Sequence, residues 1–316
     1  MAEAQTTDWN EVKTARAERN RRLMSNANPD QEARDRTLAE IRELGLETNV
    51  AELDAIGYTT VKGAIDADQV AGAKAAIVRV MERKSGMPVD IESETAEAWN
   101  GVSLAHYLLY EDEVFESIIT ASKPLALISY LLGRSCVLSS MTCHFKGRGS
   151  DPLMLHSDNG NGITPPFSMI SQVANVNYAL TPYSKEAGAL AMVPGSHRLC
   201  RHPRPDESQL AGDACNPDAV SMPLEPGDCV VWHGNTWHGS FRREIPGIRM
   251  NLATYFARQY IVTQEEFGRT VPQEMLDRHA NDQRFLRLVG QRQPYNYHAD
   301  GPDWSKFADV PRGQWD

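Results

Sequence analysis

The sequence predicts a mainly β protein with helical additions, which places it in the α+β class. Two observations support this prediction. Between Cys136 and about Ile261, five short runs rich in β-branched and aromatic residues follow one another, and Gly, Pro, Asn and Asp separate them without a helical period in between. Such a pattern is typical of an antiparallel sandwich or barrel. The 316 residues, of which 41% are hydrophobic, are also enough to bury a substantial core.

The first 50 residues are predicted to form a polar helical extension. From Trp9 to about Leu46 the sequence is dense in Arg, Glu and Ala, and Asn28–Asp30 interrupts it as a helix stop followed by a new cap would. We interpret the two resulting helices as a solvated appendage, because charge-rich helices are most often surface elements. They are also the candidate contact surface for a homo-oligomer.

The remaining elements follow in order along the chain. A short strand is predicted at Tyr58–Lys62, and Asp66 caps a helix over Ala67–Arg83, whose apolar residues recur at helical spacing. Two further helices and the five β runs are expected at Val114–Ser122, Pro124–Leu132, Val137–Phe145, Met169–Leu180, Ala189–Val193, Cys229–His233 and Arg249–Ala257. A last helix is predicted over Pro272–Gly290. We therefore divide the chain into the extension 1–50, a core domain 51–262, and a helix and tail, 263–316, packed on that domain.

Charge and composition exclude several classes of partner. The formal net charge is -10, from 32 Lys and Arg against 42 Asp and Glu, which argues against binding nucleic acid or an anionic membrane. The strongest apolar run, Pro124–Leu132, is far shorter than the ~20 residues that a spanning helix needs. Five cysteines without a Cys-x-x-Cys pair suggest neither a disulfide framework nor a zinc site, so a cytoplasmic location fits best.

Two histidines and one aspartate in the β region form a candidate metal site. His156 and Asp158 follow the run Pro152–Leu155, and the period-2 geometry of an extended chain predicts that both lie on one face. His238 comes after a Gly-Asp turn and a Trp-His segment. Two imidazoles and one carboxylate on one side are the facial triad that holds non-haem Fe(II) and leaves three positions open. The sequence therefore predicts an iron site.

Arg249, eleven residues after His238, is the candidate partner of a co-substrate. Its guanidinium is permanently charged and forms bidentate pairs with carboxylates, so it suits the far end of a dicarboxylic acid. 2-Oxoglutarate would chelate the metal through two open positions, and dioxygen would take the third. This chemistry makes O2 and 2-oxoglutarate the predicted co-substrates beside Fe(II).

The order of these segments resembles the phytanoyl-CoA dioxygenase family of Fe(II)- and 2-oxoglutarate-dependent oxygenases. The resemblance runs from about Gly57 to Tyr260 and includes the His-x-Asp pair, the segment Gly188–His197, the Gly-Asp turn, His238 and Arg249. It implies a double-stranded β-helix (jelly roll, cupin-like) core flanked by α-helices.

The resemblance also implies the roles of individual residues. His156, Asp158 and His238 would bind iron, Arg249 would bind the 2-oxoglutarate carboxylate, and Ser240 matches a position that commonly hydrogen-bonds the same carboxylate. One departure concerns the strand before Gly188, where many family members have Trp and this chain has Asn177, with Asn175 on the same strand face. The two amides would contact the co-substrate or the substrate, or satisfy each other beside the barrel mouth.

Three other histidines are weaker candidates for the metal. His233 lies five residues before His238, so an unbroken strand points it to the opposite face, and we interpret it as a packed structural residue. His197 closes a Pro-Gly-Ser-His turn, which the family resemblance assigns to the scaffold. His144 precedes the triad on a strand and could face the cavity, although a hydrogen-bonded core residue is the favoured interpretation.

The reaction predicted from these residues is hydroxylation of an unactivated C–H bond of a small organic molecule, with release of succinate and CO2. Related halogenases replace the carboxylate ligand with a small residue, so the presence of Asp158 favours hydroxylation. The same site could also carry out desaturation, epimerisation or cyclisation, and the sequence does not distinguish these reactions from hydroxylation. The candidate substrate walls are Asn159, Phe241, Met141 and Trp99, and the Gly-rich segment 159–166 is a candidate lid. No Lys/Arg run marks a carrier such as coenzyme A, which favours natural product biosynthesis.

Two alternative functions use the same residues. A cupin-like Zn or Mn isomerase or hydrolase could bind its metal through the same triad, but it has no evident use for Arg249. A non-catalytic ligand-binding jelly roll is the other alternative. Both differ from the dioxygenase in that they need no 2-oxoglutarate.

Overall fold

The computed structural model describes residues 8–24, 29–93, 104–160, 163–292, 297–299, 301–302 and 314–315. Its helices are α1 (Trp9–Met24), α2 (Pro29–Glu43), α3 (Glu47–Ile56), α4 (Ala67–Ser85), α5 (Glu113–Ile119), α6 (Ser122–Leu132), α7 (Phe267–Thr270), α8 (Gln273–Arg278) and α9 (Gln283–Leu288). Its strands are β1 (Tyr58–Val61), β2 (Leu104–Ala105), β3 (Val137–His144), β4 (Leu153–His156), β5 (Val173–Ala179), β6 (Leu190–Met192), β7 (Val220–Ser221), β8 (Cys229–His233), β9 (His238–Ser240), β10 (Asn251–Ala257), β11 (Tyr297–His298) and β12 (Gly301–Pro302).

Two antiparallel sheets form the core. The larger sheet has the order β1-β8-β5-β10-β3-β2, and the smaller sheet has the order β4-β9-β6-β7. Leu190 and Met192 of the smaller sheet pack against Val230 and Trp232 of the larger one, so the two sheets face each other. This sandwich with helices around it confirms the predicted α+β class with a jelly-roll core.

The outer face of the larger sheet is covered by helices. Along β5, the alternate residues Ala174, Val176 and Tyr178 belong to the main apolar cluster, which also contains residues of α4, α5 and α6. The intervening Asn175 and Asn177 line the space between the sheets. Strand alternation thus separates a hydrophobic face from a polar face that bears the site, as the sequence predicted for these two asparagines.

A β-bulge in β3 changes which residues face the cavity. The pairing with β10 shifts between Tyr255 and Phe256, which lie opposite Ser140 and Leu138, so the residue between these two has no opposite partner. Beyond the bulge, Met141 is fully buried in the main apolar cluster, whereas Ser140 lines the cavity. The prediction of Met141 as a substrate wall is therefore wrong, because the bulge leaves its side chain on the helix-covered face.

Other differences from the predicted elements have simple causes. Strands β2, β4, β7 and β9 have two to four residues each and are too short to show a sequence period. The single helix predicted over Pro272–Gly290 is two short helices, α8 and α9, because Asp282 begins a new one: its carboxylate accepts hydrogen bonds from the backbone N–H of Arg284 and Phe285.

The second helix of the N-terminal extension packs on the core. Ala33, Thr37 and Ile41, which recur every fourth residue of α2, are almost completely buried, and α2 contacts α6. The carboxylate of Glu40 pairs with Arg134 just after α6. The interpretation of both helices as a solvated appendage is therefore wrong for α2. A third helix that the sequence did not reveal, α3, connects this region to β1.

No single helix in the described part of the chain combines the length and apolarity needed to cross a membrane, although α5 and α6, bent by 53° to each other, meet that composition test as a pair.

Candidate metal centre

Three ligating side chains converge at one end of the smaller sheet. His156 ends β4, Asp158 begins a short 3-10 turn directly after it, and His238 begins the neighbouring strand β9, opposite His156. One ligand atom from each lies within 4.8 Å of the others. Asp158 Oδ1 is 4.0 Å from His156 Nε2, and its Oδ2 is 3.5 Å from His238 Nε2. The structure therefore brings the predicted triad together at distances that one metal ion can span.

The tautomers of both imidazoles suit metal binding. His156 Nδ1 lies 2.9 Å from the carbonyl oxygen of Met154, and His238 Nδ1 lies 3.0 Å from that of Thr236. A carbonyl can only accept, so each Nδ1 carries the proton and each Nε2 presents a lone pair to the centre. Burial lowers the pKa of His238 to about 4, which keeps this imidazole neutral. The donor set thus fits a divalent metal.

Asp158 is oriented by two hydrogen bonds to one of its oxygens. Asn175 donates from its amide nitrogen to Oδ2 at 2.8 Å, and the indole N–H of Trp232 donates to the same oxygen at 3.1 Å. The ring of Trp232 also packs 4.7 Å from that of His238. The sequence predicted that an extended strand places Asp158 on the same face as His156. The two side chains do converge, but β4 ends at His156, and a 3-10 turn directs the carboxylate inward instead.

Arg249 and Ser240 lie in the wall of the same cavity as the triad. Arg249 is 2% exposed, and its NH1 donates to the carbonyl of Gly188 at 3.0 Å, whereas its buried Nε has no hydrogen-bond partner among the described residues. Its guanidinium lies 5.3 Å above the ring of Tyr183. Ser240 is two residues beyond His238 on β9, so both side chains point to the same face. An unpartnered, buried guanidinium donor fits an incoming carboxylate.

The two asparagines of β5 both line the cavity. Asn175 donates to Asp158, and the Oδ1 of Asn177 accepts a hydrogen bond of 3.3 Å from the hydroxyl of Tyr183. The partners of both amides are therefore site residues rather than each other.

The rival histidines differ in their surroundings. His233 is buried, its Nε2 lies 3.2 Å from the carbonyl of Met169, and its Nδ1 accepts from the backbone N–H of Asn235, which confirms that it is a packed structural residue. His197 packs beside it, with 5.5 Å between the ring centroids. His144 instead lines the cavity and is exposed to it. The preference for His144 as a core residue was wrong, because the bulge in β3 places it on the cavity face.

Comparison with protein-family models matches residues 53–251 to the model described as phytanoyl-CoA dioxygenase. The chain belongs to the phytanoyl-CoA dioxygenase family. It is thus a dioxygenase of the Fe(II)- and 2-oxoglutarate-dependent class, with Fe(II) as cofactor and 2-oxoglutarate and O2 as co-substrates.

Individual relatives of this phytanoyl-CoA dioxygenase family member are distant. An uncharacterized protein of Mycobacterium tuberculosis is 23% identical over 255 residues, which cover 74% of this chain and 84% of that protein. Dioxygenase aneA of Aspergillus aculeatus is 28% identical over 137 residues, 42% of this chain and 43% of its own. The crystal structure of HygX from Streptomyces hygroscopicus with nickel and 2-oxoglutarate bound is 15% identical, covers 69% of this chain and 88% of HygX, and has a TM-score of 0.56. At that identity, HygX shows the shared fold.

The cavity of this phytanoyl-CoA dioxygenase family member has a volume of about 250 Å³, and most of the residues that line it have polar side chains. Beyond the residues already described, hydroxyl, amide and imidazole groups line it, from Ser140, Thr142, His144, Asn251, Tyr255 and Gln264. Apolar lining comes from Leu153, Leu190, Trp232 and Ala253.

Two further substrate walls predicted from the sequence are wrong. Phe241 is buried in an apolar cluster on the far side of β9, because Ser240 faces the cavity and the next side chain must point away. Asn159 is buried and turned toward Asn235. Trp99 lies outside the described residues, as do Asn161 and Gly162 of the candidate lid.

Sequence reasoning missed three residues that support the site. Trp232 orients Asp158, Tyr183 packs beneath Arg249, and Lys146 donates to Ser240. The alternation of β8 could have revealed Trp232, since it separates cavity-facing from helix-facing residues. No sequence signal distinguishes Lys146 from an ordinary surface lysine, because its neighbours become visible only in the folded chain.

Proposed function

We propose that this dioxygenase hydroxylates an unactivated C–H bond of a small, polar organic molecule, with His156, Asp158 and His238 as the iron ligands and Arg249 and Ser240 as the binding site for the far carboxylate of 2-oxoglutarate. The observation that supports this proposal is the inward-facing pair of Nε2 lone pairs beside a carboxylate within 4.8 Å. When bound, iron would supply the activation of dioxygen that is coupled to conversion of 2-oxoglutarate into succinate and CO2.

The chain's own residues hold the reactants in place. Two hydrogen bonds fix Oδ2 of Asp158, and its Oδ1 lies 4.0 Å from Nε2 of His156, so this oxygen faces the metal position. His238 and Ser240 are two residues apart on an extended strand, which separates them by about 7 Å. A short keto-diacid that chelates a metal at His238 can therefore reach Ser240 and Arg249 with its other end.

The wall of the cavity supports a polar substrate. The only ionisable side chains in the lining, apart from the triad and Arg249, are His144 and Tyr255 among the described residues. Desolvation by the cavity walls, together with the positive charge of Arg249, lowers the pKa of His144 to about 4, so it is neutral near pH 7. Uncharged hydroxyl and amide groups select hydrogen-bonding molecules rather than long hydrocarbon chains. Together with the absence of a Lys/Arg run in the sequence, this favours tailoring of a small natural product over oxidation of a coenzyme A ester.

Anaerobic titration tests the iron and 2-oxoglutarate assignment. Fe(II) followed by 2-oxoglutarate should give the weak visible charge-transfer band of the chelate in the wild-type protein. His156→Ala and His238→Ala should abolish the band and reduce Fe(II) affinity by more than about 100-fold, since each removes a direct ligand. His202→Ala, an exposed histidine outside the triad, is the matched control and should behave as wild type. Retention of the band by His238→Ala would contradict the ligand assignment.

Arg249 is tested by the same titration. Arg249→Lys keeps the positive charge but loses the planar fork, and it should weaken 2-oxoglutarate binding about tenfold, since a charge-assisted bond contributes about 1.5–3 kcal/mol. Fe(II) affinity in the absence of 2-oxoglutarate should not change. An unchanged dissociation constant for 2-oxoglutarate would contradict the role of Arg249.

The substrate can be identified separately, by measuring succinate release during a screen of polar metabolites.

A further inference from the structure

Three buried cations lie together behind one end of the cavity. Arg249, Lys146 and Arg243 are 2%, 8% and 6% exposed. Lys146 and Arg249 pair through their backbones, with N···O distances of 3.0 and 2.8 Å in the two directions. In the part of the chain that the structure describes, none of the three forms an ion pair with a carboxylate. The exposed carboxylates of Asp151 and Glu92 act on Lys146 and Arg243 only from beyond ion-pair distance, so the cluster keeps an excess of buried positive charge that favours a bound anion.

Arg243 and Lys146 differ in the partners of their side-chain hydrogen bonds. Arg243 donates to the backbone carbonyls of Gly247, Ala187 and Pro246. These bonds occupy its guanidinium, so we assign Arg243 a structural role. Lys146 donates from Nζ to Ser240 Oγ at 3.0 Å and to the carbonyl of Phe241 at 2.8 Å. Its ammonium therefore lies directly behind the hydroxyl that faces the cavity.

The bond from Lys146 determines what Ser240 can do. A hydroxyl has one proton to donate and accepts through its lone pairs. Because the ammonium of Lys146 can only donate, Oγ of Ser240 is the acceptor, and the Ser240 proton remains free to point into the cavity. A carboxylate that arrives beside Arg249 needs such a donor.

We propose that Lys146 is a positioning residue for the far carboxylate of 2-oxoglutarate: it holds the Ser240 hydroxyl as a donor and adds a second positive charge behind Arg249. This inference rests on the proposed function of the same site. Lys146 is not part of the cavity lining, so it acts through Ser240 rather than by direct contact. Burial and the charge of Arg249 lower the pKa of Lys146 to about 7, and a bound carboxylate would favour its charged form.

The test compares two keto acids on the Fe(II)-loaded protein under anaerobic conditions. 2-Oxoglutarate has the far carboxylate, whereas 2-oxovalerate has the same chelating head and chain length but ends in a methyl group. Lys146→Met should raise the dissociation constant of 2-oxoglutarate roughly tenfold or more, read from the visible band, and should change that of 2-oxovalerate less than about twofold. Lys185→Met, an exposed lysine that packs over Phe241, is the matched control and should leave both constants unchanged.

Two further variants separate charge from hydrogen bonding. Lys146→Gln keeps a donor for Ser240 without the charge and should give an intermediate loss; it also replaces Lys146→Met in the titration if that variant does not fold. Ser240→Ala should weaken 2-oxoglutarate binding, and adding Lys146→Met to it should cost much less than in the wild-type background, because both act through one hydroxyl.

The outcomes distinguish this inference from the proposed function. Equal weakening of both keto acids, or a 2-oxoglutarate constant within twofold of wild type, would overturn the role of Lys146 while leaving the iron site intact. Absence of the band in the wild-type protein with Fe(II) and 2-oxoglutarate would instead contradict the proposed function.

Discussion

The property of single residues that decides the chemistry of this site is the tautomer of its two histidines. Each Nδ1 is held by the carbonyl of the residue two positions before it, Met154 for His156 and Thr236 for His238. The same local arrangement on two neighbouring strands leaves both Nε2 atoms facing one point. The third ligand has no such local partner and depends on Trp232 and Asn175 from the opposite sheet. The orientation of Asp158 is therefore the part of the site that the rest of the fold controls.

Trp232→Phe tests this dependence on the opposite sheet. The change keeps an aromatic ring beside His238 but removes the N–H that donates to Asp158 Oδ2 at 3.1 Å. Loss of a hydrogen bond to a metal ligand typically reduces metal affinity 10–100-fold, so Fe(II) affinity measured by calorimetric titration should fall about tenfold. Trp237→Phe is the matched control, since that indole donates to the carbonyl of Arg201 instead. Equal affinities in the two variants would rule out a role for the indole N–H.

At the scale of elements, the sequence was informative where a strand was long and regular. The alternation of β5 predicted that Asn175 and Asn177 share a face, and both line the cavity. In β3 a bulge changes the face between Leu138 and Ser140, and a bulge has no marker in a single sequence. The sequence therefore did not show that Met141 faces the helices and that His144 faces the cavity.

The short strands β4 and β9 are the elements that carry the histidines, and they approach each other closely at Gly239. A Cβ at this position would lie 2.2 Å from the backbone oxygen of Leu153 and 3.0 Å from a methyl of Leu210. A backbone oxygen can move only with its strand, so a side chain here must displace β4, which ends at His156. Glycine is therefore required between the two site residues of β9.

Gly239→Ala should consequently affect both stability and metal binding. We expect a loss of about 1–3 kcal/mol in the free energy of unfolding, the usual cost of overpacking, and at least tenfold weaker Fe(II) binding. Gly268→Ala is the matched control, since its Cβ would meet nothing closer than 3.7 Å, and it should leave both quantities near wild type. Denaturant titration and calorimetry provide the two measurements. Similar stability and affinity in the two variants would show that β4 tolerates displacement.

At the scale of the whole molecule, the two sheets contribute different residues to the site. The smaller sheet and its turns supply the triad and Ser240, whereas the larger sheet supplies most of the polar wall. The triad and Arg249 were predicted because their types and order in the chain resemble a family pattern. The roles of Lys146 and Arg243 were not predicted, because only the folded structure shows that both are buried beside Arg249. Long-range packing of this kind leaves no periodic trace in the sequence.

The packing of α2 makes a prediction about the extent of the folded unit. The boundary at residue 50 and the homo-oligomer contact through the N-terminal helices remain predictions from the sequence. The described side chains of α1 are mostly exposed, so removal of residues 1–28 should change the free energy of unfolding by less than about 1 kcal/mol. Removal of residues 1–46 also deletes the buried Ala33, Ile41 and Leu46 and should cost roughly 4 kcal/mol or more.

Denaturant titration of the two truncated chains gives the comparison, with Ile41→Ala in the full-length chain as the control. That single change should cost about 2–5 kcal/mol, because it leaves a cavity between α2 and the core. Sedimentation of the chain without residues 1–28 tests the oligomer contact at the same time: a smaller assembly than the full-length chain would support it. If removal of residues 1–46 left stability unchanged, α2 would be dispensable for folding, and its burial would not reflect a stabilising contact.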